Sequence, residues 1–167
     1  MRRGFSLIEA TIAAAVLVVL VIGALETLGA TARARHRLAD AARAHALAES
    51  LCAEVGARAF SDPDAGTDAI GPNPGDAGVT RAGFDDVDDY HALSEKPPES
   101  RDGVAGADGS WQRDTEVVWM TRLPSGALTP SLTATSIKRV TVTVRKDGVP
   151  LATRVVYRTR GADEVLP

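Results

Sequence analysis

The most demanding residue in this sequence is Glu9, a carboxylate at the start of an apolar run. It follows Gly4-Phe5-Ser6-Leu7-Ile8 and precedes the uncharged stretch Ala10–Leu25, which is rich in Ala, Val, Leu and Ile. At bilayer depth a carboxylate costs about 2.5–3.5 kcal/mol on insertion scales, so such a residue asks for a partner. The second concentration of chemistry is acidic: Asp85, Asp86, Asp88 and Asp89. Hard cations take several oxygen ligands, which makes calcium a candidate ion for these four. The Asp-x-Asp-x-Asp-Gly spacing of an EF-hand loop is absent. The competing readings are a solvated acidic turn, or ion pairs with Arg81 or with the basic strands downstream.

Other chemistries find little support. His91 adjoins the acidic cluster, but His36 and His45 fall in an earlier helical segment, and no two-histidine ligand spacing occurs. Gly103, Gly106 and Gly109 lack the lysine and strand context of a phosphate loop. No Gly-x-Ser-x-Gly elbow is present. The single Cys52 excludes an intramolecular disulfide and sits near Glu49 and Glu54, the wrong surroundings for a stabilised thiolate. It reads as a small packing residue. No catalytic group and no cofactor are expected, with calcium at the acidic cluster the one ion considered. Basic residues number 19 and acidic residues 22, so nothing suggests a nucleic-acid partner. Aromatics make up 4%, which predicts a modest core built from Ala, Val and Leu.

These residues need elements to position them. The run Ala10–Leu25, extended by small residues to Ala32, approaches the roughly 20 residues that a membrane span requires. Leu38, Ala41, Ala44, Ala48, Leu51 and Val55 then recur at helical steps, so one long helix is predicted from about Ser6 to Val55. Gly56 and Pro63 end it. Residues 59–110 form a connector rich in Gly, Pro and Asp. Strand signals follow at Thr115–Leu123, Ser136–Lys146 and Leu151–Arg160, with Asp147-Gly148 as a hairpin turn. In the second of these, Ile137, Val140, Val142 and Val144 are the apolar members, with a slip at Lys138–Arg139. The expected fold is α+β: a long N-terminal helix, half transmembrane and half amphipathic, packed on a small antiparallel sheet of about three strands.

Arg2 and Arg3 precede the apolar run, so the positive-inside rule holds the first residues in the cytoplasm and sends the rest across. A secretory signal shares that charge order but is cut beyond its apolar region. A glycine directly before the run, and Glu9 within its start, do not fit that reading. Arg3-Gly4-Phe5-Ser6-Leu7-Ile8-Glu9-Ala10 instead resembles the class III signal of type IV prepilins and type II secretion pseudopilins. Where such chains often carry a proline late in the helix, Gly23, Glu26 and Gly29 stand here. Phe84–Leu93 is also similar to a segment of minor pilins of the mannose-sensitive haemagglutinin type.

The resemblance implies a pilin-like fold and a set of roles. Gly4 is the residue before the cut, and Phe5 becomes the N-methylated terminus. Glu9 is the assembly residue, pairing with the terminal amine of a neighbouring subunit. Residues 1–4 are a leader, 5–32 the transmembrane and assembly helix, 33–58 the amphipathic helix of the head, 59–110 the connector and 111–167 the sheet. The implied function is structural: a minor pilin or pseudopilin. Its partners are prepilin peptidase, other pilins or pseudopilins, the inner-membrane assembly platform and the lipid bilayer. It would reside in a bacterial inner membrane as a single-pass protein, N-terminus cytoplasmic and head periplasmic, before entering a pilus or pseudopilus. The alternative is a membrane-anchored periplasmic binding domain or a pilus-tip adhesin.

Overall fold

The computed structural model describes residues 6–63, 69–72 and 80–162. The chain divides into two compact units, Met1–Asp40 and Ala41–Pro167, and the division falls inside a single helix, α1, Leu7–Gly56. Gly23 and Gly29 do not interrupt it. Among the described residues of the first unit, the large apolar side chains from Leu7 to Leu28 are all exposed.

In the second unit the remainder of α1 lies on one face of an antiparallel sheet. Ala44, Ala48, Leu51 and Val55 are fully buried and join the core, while Leu38, expected on the same stripe, is exposed. Alanine at two of four core positions leaves little side-chain bulk between helix and sheet. The sheet order is β1-β2-β4-β5, with β1 Ser94–Glu95, β2 Trp111–Arg122, β4 Ile137–Lys146 and β5 Val149–Thr159. A short strand β3, Leu128–Pro130, pairs with the end of β2. The three strands expected from sequence are thus β2, β4 and β5. The sheet has five because β1 and β3, at 2 and 3 residues, are too short to show an alternation.

The β4–β5 hairpin turns at Asp147 and Gly148, with φ of 51° and 80°. Positive φ at both central residues is what a type I′ turn demands, and Asp-Gly supplies it at low steric cost. Along β2 the core face takes Trp111, Arg113, Thr115, Val117 and Trp119. Along β4 it takes Lys138, Val140, Val142 and Val144. β4 alternates without a slip through Val144, and β2 alternates from Trp111 to Trp119, after which Met120 is buried as well. The irregularity read at Lys138–Arg139 is a lysine occupying a core position, with Ile137 turned to the other face. β2 likewise begins four residues before the expected Thr115, because Arg113 hides an alternation that is already under way.

The described residues of the connector contribute to the core. Ala59 pairs with Asp86 in a parallel bridge, its amide donating to Asp85 O and its carbonyl accepting the Val87 amide. This holds Phe84, Val87 and Tyr90 in the core. The Phe84 and Tyr90 rings meet edge to face, with centroids 5.1 Å apart at 81°, a geometry that aromatic quadrupoles favour.

Candidate functional site

The first candidate site is the start of α1. Ser6 and Glu9 form a reciprocal cap: the Ser6 amide donates to Glu9 Oε2 at 3.0 Å, and the Glu9 amide donates to Ser6 Oγ at 3.4 Å. This satisfies two of the helix's orphan N–H groups. The pattern Ser-x-x-Glu was present in the sequence and could have signalled it. Gly4 and Phe5 lie outside the described residues. Beyond the cap, each hydroxyl in the apolar half is bonded within the helix. Thr11 donates to Ile8 O at 2.9 Å, Thr27 to Gly23 O at 2.7 Å and Thr31 to Thr27 O at 2.8 Å. Polar groups satisfied inside their own segment are what hydrocarbon requires. Among the described residues, α1 is the one helix long and apolar enough to cross a membrane.

The second candidate site is the acidic cluster. Asp86, Asp88 and Asp89 are buried, Asp85 is exposed, and a short 3₁₀ turn, Asp88–Tyr90, carries two of them. Asp86 Oδ1 accepts the amides of Asp88 and Asp89, the latter at 3.1 Å. Asp89 Oδ2 accepts the Asp85 amide at 3.1 Å. Asp88 Oδ2 pairs with Lys138 Nζ at 2.6 Å. That ammonium also donates to Phe60 O and lies 4.3 Å and 4.5 Å from the ring centroids of Phe60 and Trp119. The cluster therefore meets the basic sheet through one fully buried cation. Among the described residues no group of three or more His, Cys, Asp and Glu is arranged to hold a metal ion. His91 Nδ1 accepts the Val117 amide at 3.2 Å, which ties the cluster's end to β2.

Burial pushes the Asp86 carboxyl up from 3.8 to about 6, with the charges of Asp88 and Asp89 adding to the rise and the two amide bonds opposing it. A folded-state value above the unfolded one favours the protonated fold. The associated stability is present below 3.8 and is lost as pH rises through about 6. Asp86→Asn keeps the acceptor oxygen and removes the charge. It is expected to be about 1–3 kcal/mol more stable than the native chain at neutral pH, with the difference closing as pH falls towards 4. Paired denaturant melts across that range check this, and a difference independent of pH would show that Asp86 is not the titrating group.

Sequence reasoning missed a third cluster. Arg81 and Arg113 are both buried and share Glu95, Arg81 on Oε1 and Arg113 on Oε2. Arg81 Nε also lies 3.2 Å from Glu54, and Tyr90 Oη donates to Glu54 at 2.8 Å. Arg113 donates to Leu47 O at 3.0 Å and to Glu99 O at 2.8 Å, joining helix, sheet and connector. Arg81, a candidate partner of the acidic cluster, instead forms its ion pairs with Glu54 and Glu95. Cys52 packs against the core, and burial, then the Glu49 charge, pushes its thiol up. A raised thiol has little thiolate to offer a substrate.

Fold and sites define an α+β chain whose N-terminal helix is a candidate membrane span, with an ion-paired core in its second unit. No protein-family model, curated protein or solved structure matches it.

Proposed function

We propose that this chain is a prepilin: a minor pilin or pseudopilin that builds a type IV pilus or a type II secretion pseudopilus, with no chemistry of its own. The observation that carries the reading is the N-terminal stretch. Gly4 and Phe5 precede a capped helix whose first turn holds Glu9 and whose following large apolar residues are exposed. An apolar helix surface of this length is stable in water only when lipid or other helices cover it. A filament that draws its subunits from a bilayer supplies both environments in turn. Prepilin peptidase would cut after Gly4 in the inner membrane, leaving Phe5 as the methylated terminus and the second unit in the periplasm. The assembly platform and other pilins or pseudopilins are the partners.

Mass spectrometry of the chain recovered from cells with an active prepilin peptidase tests this. The mature protein is expected to begin at Phe5 with a methylated amine. Replacing Gly4 by a bulky residue is expected to leave it uncut, since a site built around glycine has no room for a side chain. An intact Met1, or a cut near Ala30, would overturn the proposal and favour a conventional anchor or secretory signal.

A further inference from the structure

The two edges of the sheet are unequal. On the β2 side the outermost strands are β1 and β3, with 2 and 3 residues. Very short edge strands are a common protection against unwanted pairing. On the other side the outermost strand is β5, with 11 residues, and among the described residues no strand pairs with its outer edge. Its one irregularity falls at its start, opposite Val144 and Arg145, and its only proline, Pro150, lies there too. From Ala152 onward the edge is regular.

The phase of that edge follows from the register. Thr159 pairs with Ile137, and the Arg160 amide donates to Ser136 O. Even-numbered residues of β5 therefore turn their backbone groups to β4, and Thr153, Val155, Tyr157 and Thr159 turn theirs outward. The side chains of Val155 and Tyr157 are 49% and 48% exposed. Beside the edge, on the helix side, is a recess of about 320 Å³ lined by Glu49, Cys52, Ala53, Arg154, Val155 and Val156. A strand added to β5 would direct alternate side chains into it.

We infer that β5 is a docking edge for an extended, acidic segment of a different protein chain, which adds to the sheet as a further antiparallel strand. Charge selects the occupant. From Val149 to Ala162 there are three arginines, Arg154, Arg158 and Arg160, and no acidic residue before Asp163 and Glu164 in the sequence; Arg154 pairs with Glu49 of the helix at 2.7 Å, and Arg158 donates to Arg58 O. A second copy of this chain is disfavoured where self-pairing centres on Val156. Antiparallel self-pairing with Val155 opposite Tyr157 would set Arg154 against Arg158 twice, and like charges directly opposed destabilise a strand pair. An acidic strand replaces both repulsions with attractions. This inference rests on β5 and not on the pilin reading, so either can fail alone.

The test uses the full chain in detergent micelles and a labelled probe peptide, Thr-Glu-Val-Glu-Thr-Glu-Val, followed by fluorescence anisotropy. The acidic probe is expected to bind at least about tenfold more tightly than its lysine counterpart. It should also slow amide exchange at Val155 and Tyr157. The same probe N-methylated at every amide offers no N–H to β5 along either edge and is expected not to bind, which examines strand addition without altering the protein. Val155→Pro removes an outward N–H that the native sheet does not use, a position where edge strands tolerate proline. It should weaken the acidic probe about tenfold, with far-UV circular dichroism unchanged. Arg154→Glu should narrow the preference for acid over lysine. The inference is overturned by equal binding of the two probes, by no binding at millimolar peptide, by undiminished binding of the methylated probe, or by a β5-paired homodimer without peptide.

Discussion

Replacing Lys138 by Met is expected to lower the stability of the chain by about 3–5 kcal/mol. Lys138 is fully buried, its ammonium 2.6 Å from Asp88 and bonded to Phe60 O. Methionine fills a similar volume, so packing is roughly kept. What is lost is the counter-charge to a carboxylate that is itself 2% exposed. A buried charge left alone costs far more than the pair contributed. In the double variant Lys138→Met with Asp88→Leu an apolar pair replaces an ionic one. That chain is expected to recover most of the loss. Denaturant melts in detergent, read from Trp119 beside the ammonium, measure all three. A single-variant cost below about 1 kcal/mol, or a double variant no better than the single, would show that the pair does not hold the connector to the sheet.

The second large effect is at Glu9, and the cap described above changes how it must be tested. Glu9→Ala removes a charge and one of the two capping bonds together, the bond to Ser6 Oγ remaining. Glu9→Gln removes only the charge, because glutamine serves equally at the third position of the cap. Under the proposed function, cutting after Gly4 frees the Phe5 amine and discards Arg2 and Arg3. In a bundle of helices from which water is excluded, the Phe5 amine of a neighbouring subunit is then the cation nearest to Glu9. Both variants are expected to be cut and membrane-resident, since insertion is driven by Ala10–Leu25. Both should enter filaments about a hundredfold less than the native chain, the effect of leaving an ammonium without its buried partner. If the glutamine variant assembles normally and only the alanine variant fails, Glu9 is a cap and not an intersubunit partner. A subunit at the filament tip, with no subunit ahead of it, would show a smaller loss.

Where the sequence was legible, side-chain type and position agreed. The long helix, the Asp147-Gly148 hairpin and the apolar alternation of Val140, Val142 and Val144 follow from local rules and appear as expected. Reading became unreliable where a cation took a core position. Arg113 and Lys138 each interrupt the apolar period of a strand whose burial alternates through them, which hides the start of β2 and mimics a slip in β4. Their counter-charges lie far away in sequence: Glu95 and Asp88 sit in the connector, which has almost no period to read. The acidic cluster stood out by composition, but the burial of three of its carboxylates and the pairing of one with β4 are products of tertiary packing. The cap at Ser6 and Glu9 is legible as Ser-x-x-Glu, a pattern that the position of the carboxylate at the start of an apolar run obscures.

Glu95 has a consequence for how this sequence can drift over generations. Its two oxygens serve two buried guanidiniums at once, so replacing it strands both. Losing either arginine leaves one Glu95 oxygen without its buried partner, and Arg81 also carries Glu54 and, through it, the Tyr90 hydroxyl. Positions 54, 81, 90, 95 and 113 are scattered over helix, connector and sheet, yet a neutral path through substitution space must move several of them in concert. In descendants of this chain they are expected to be inherited as a block, kept together or replaced together by apolar residues, while the exposed residues between them vary freely.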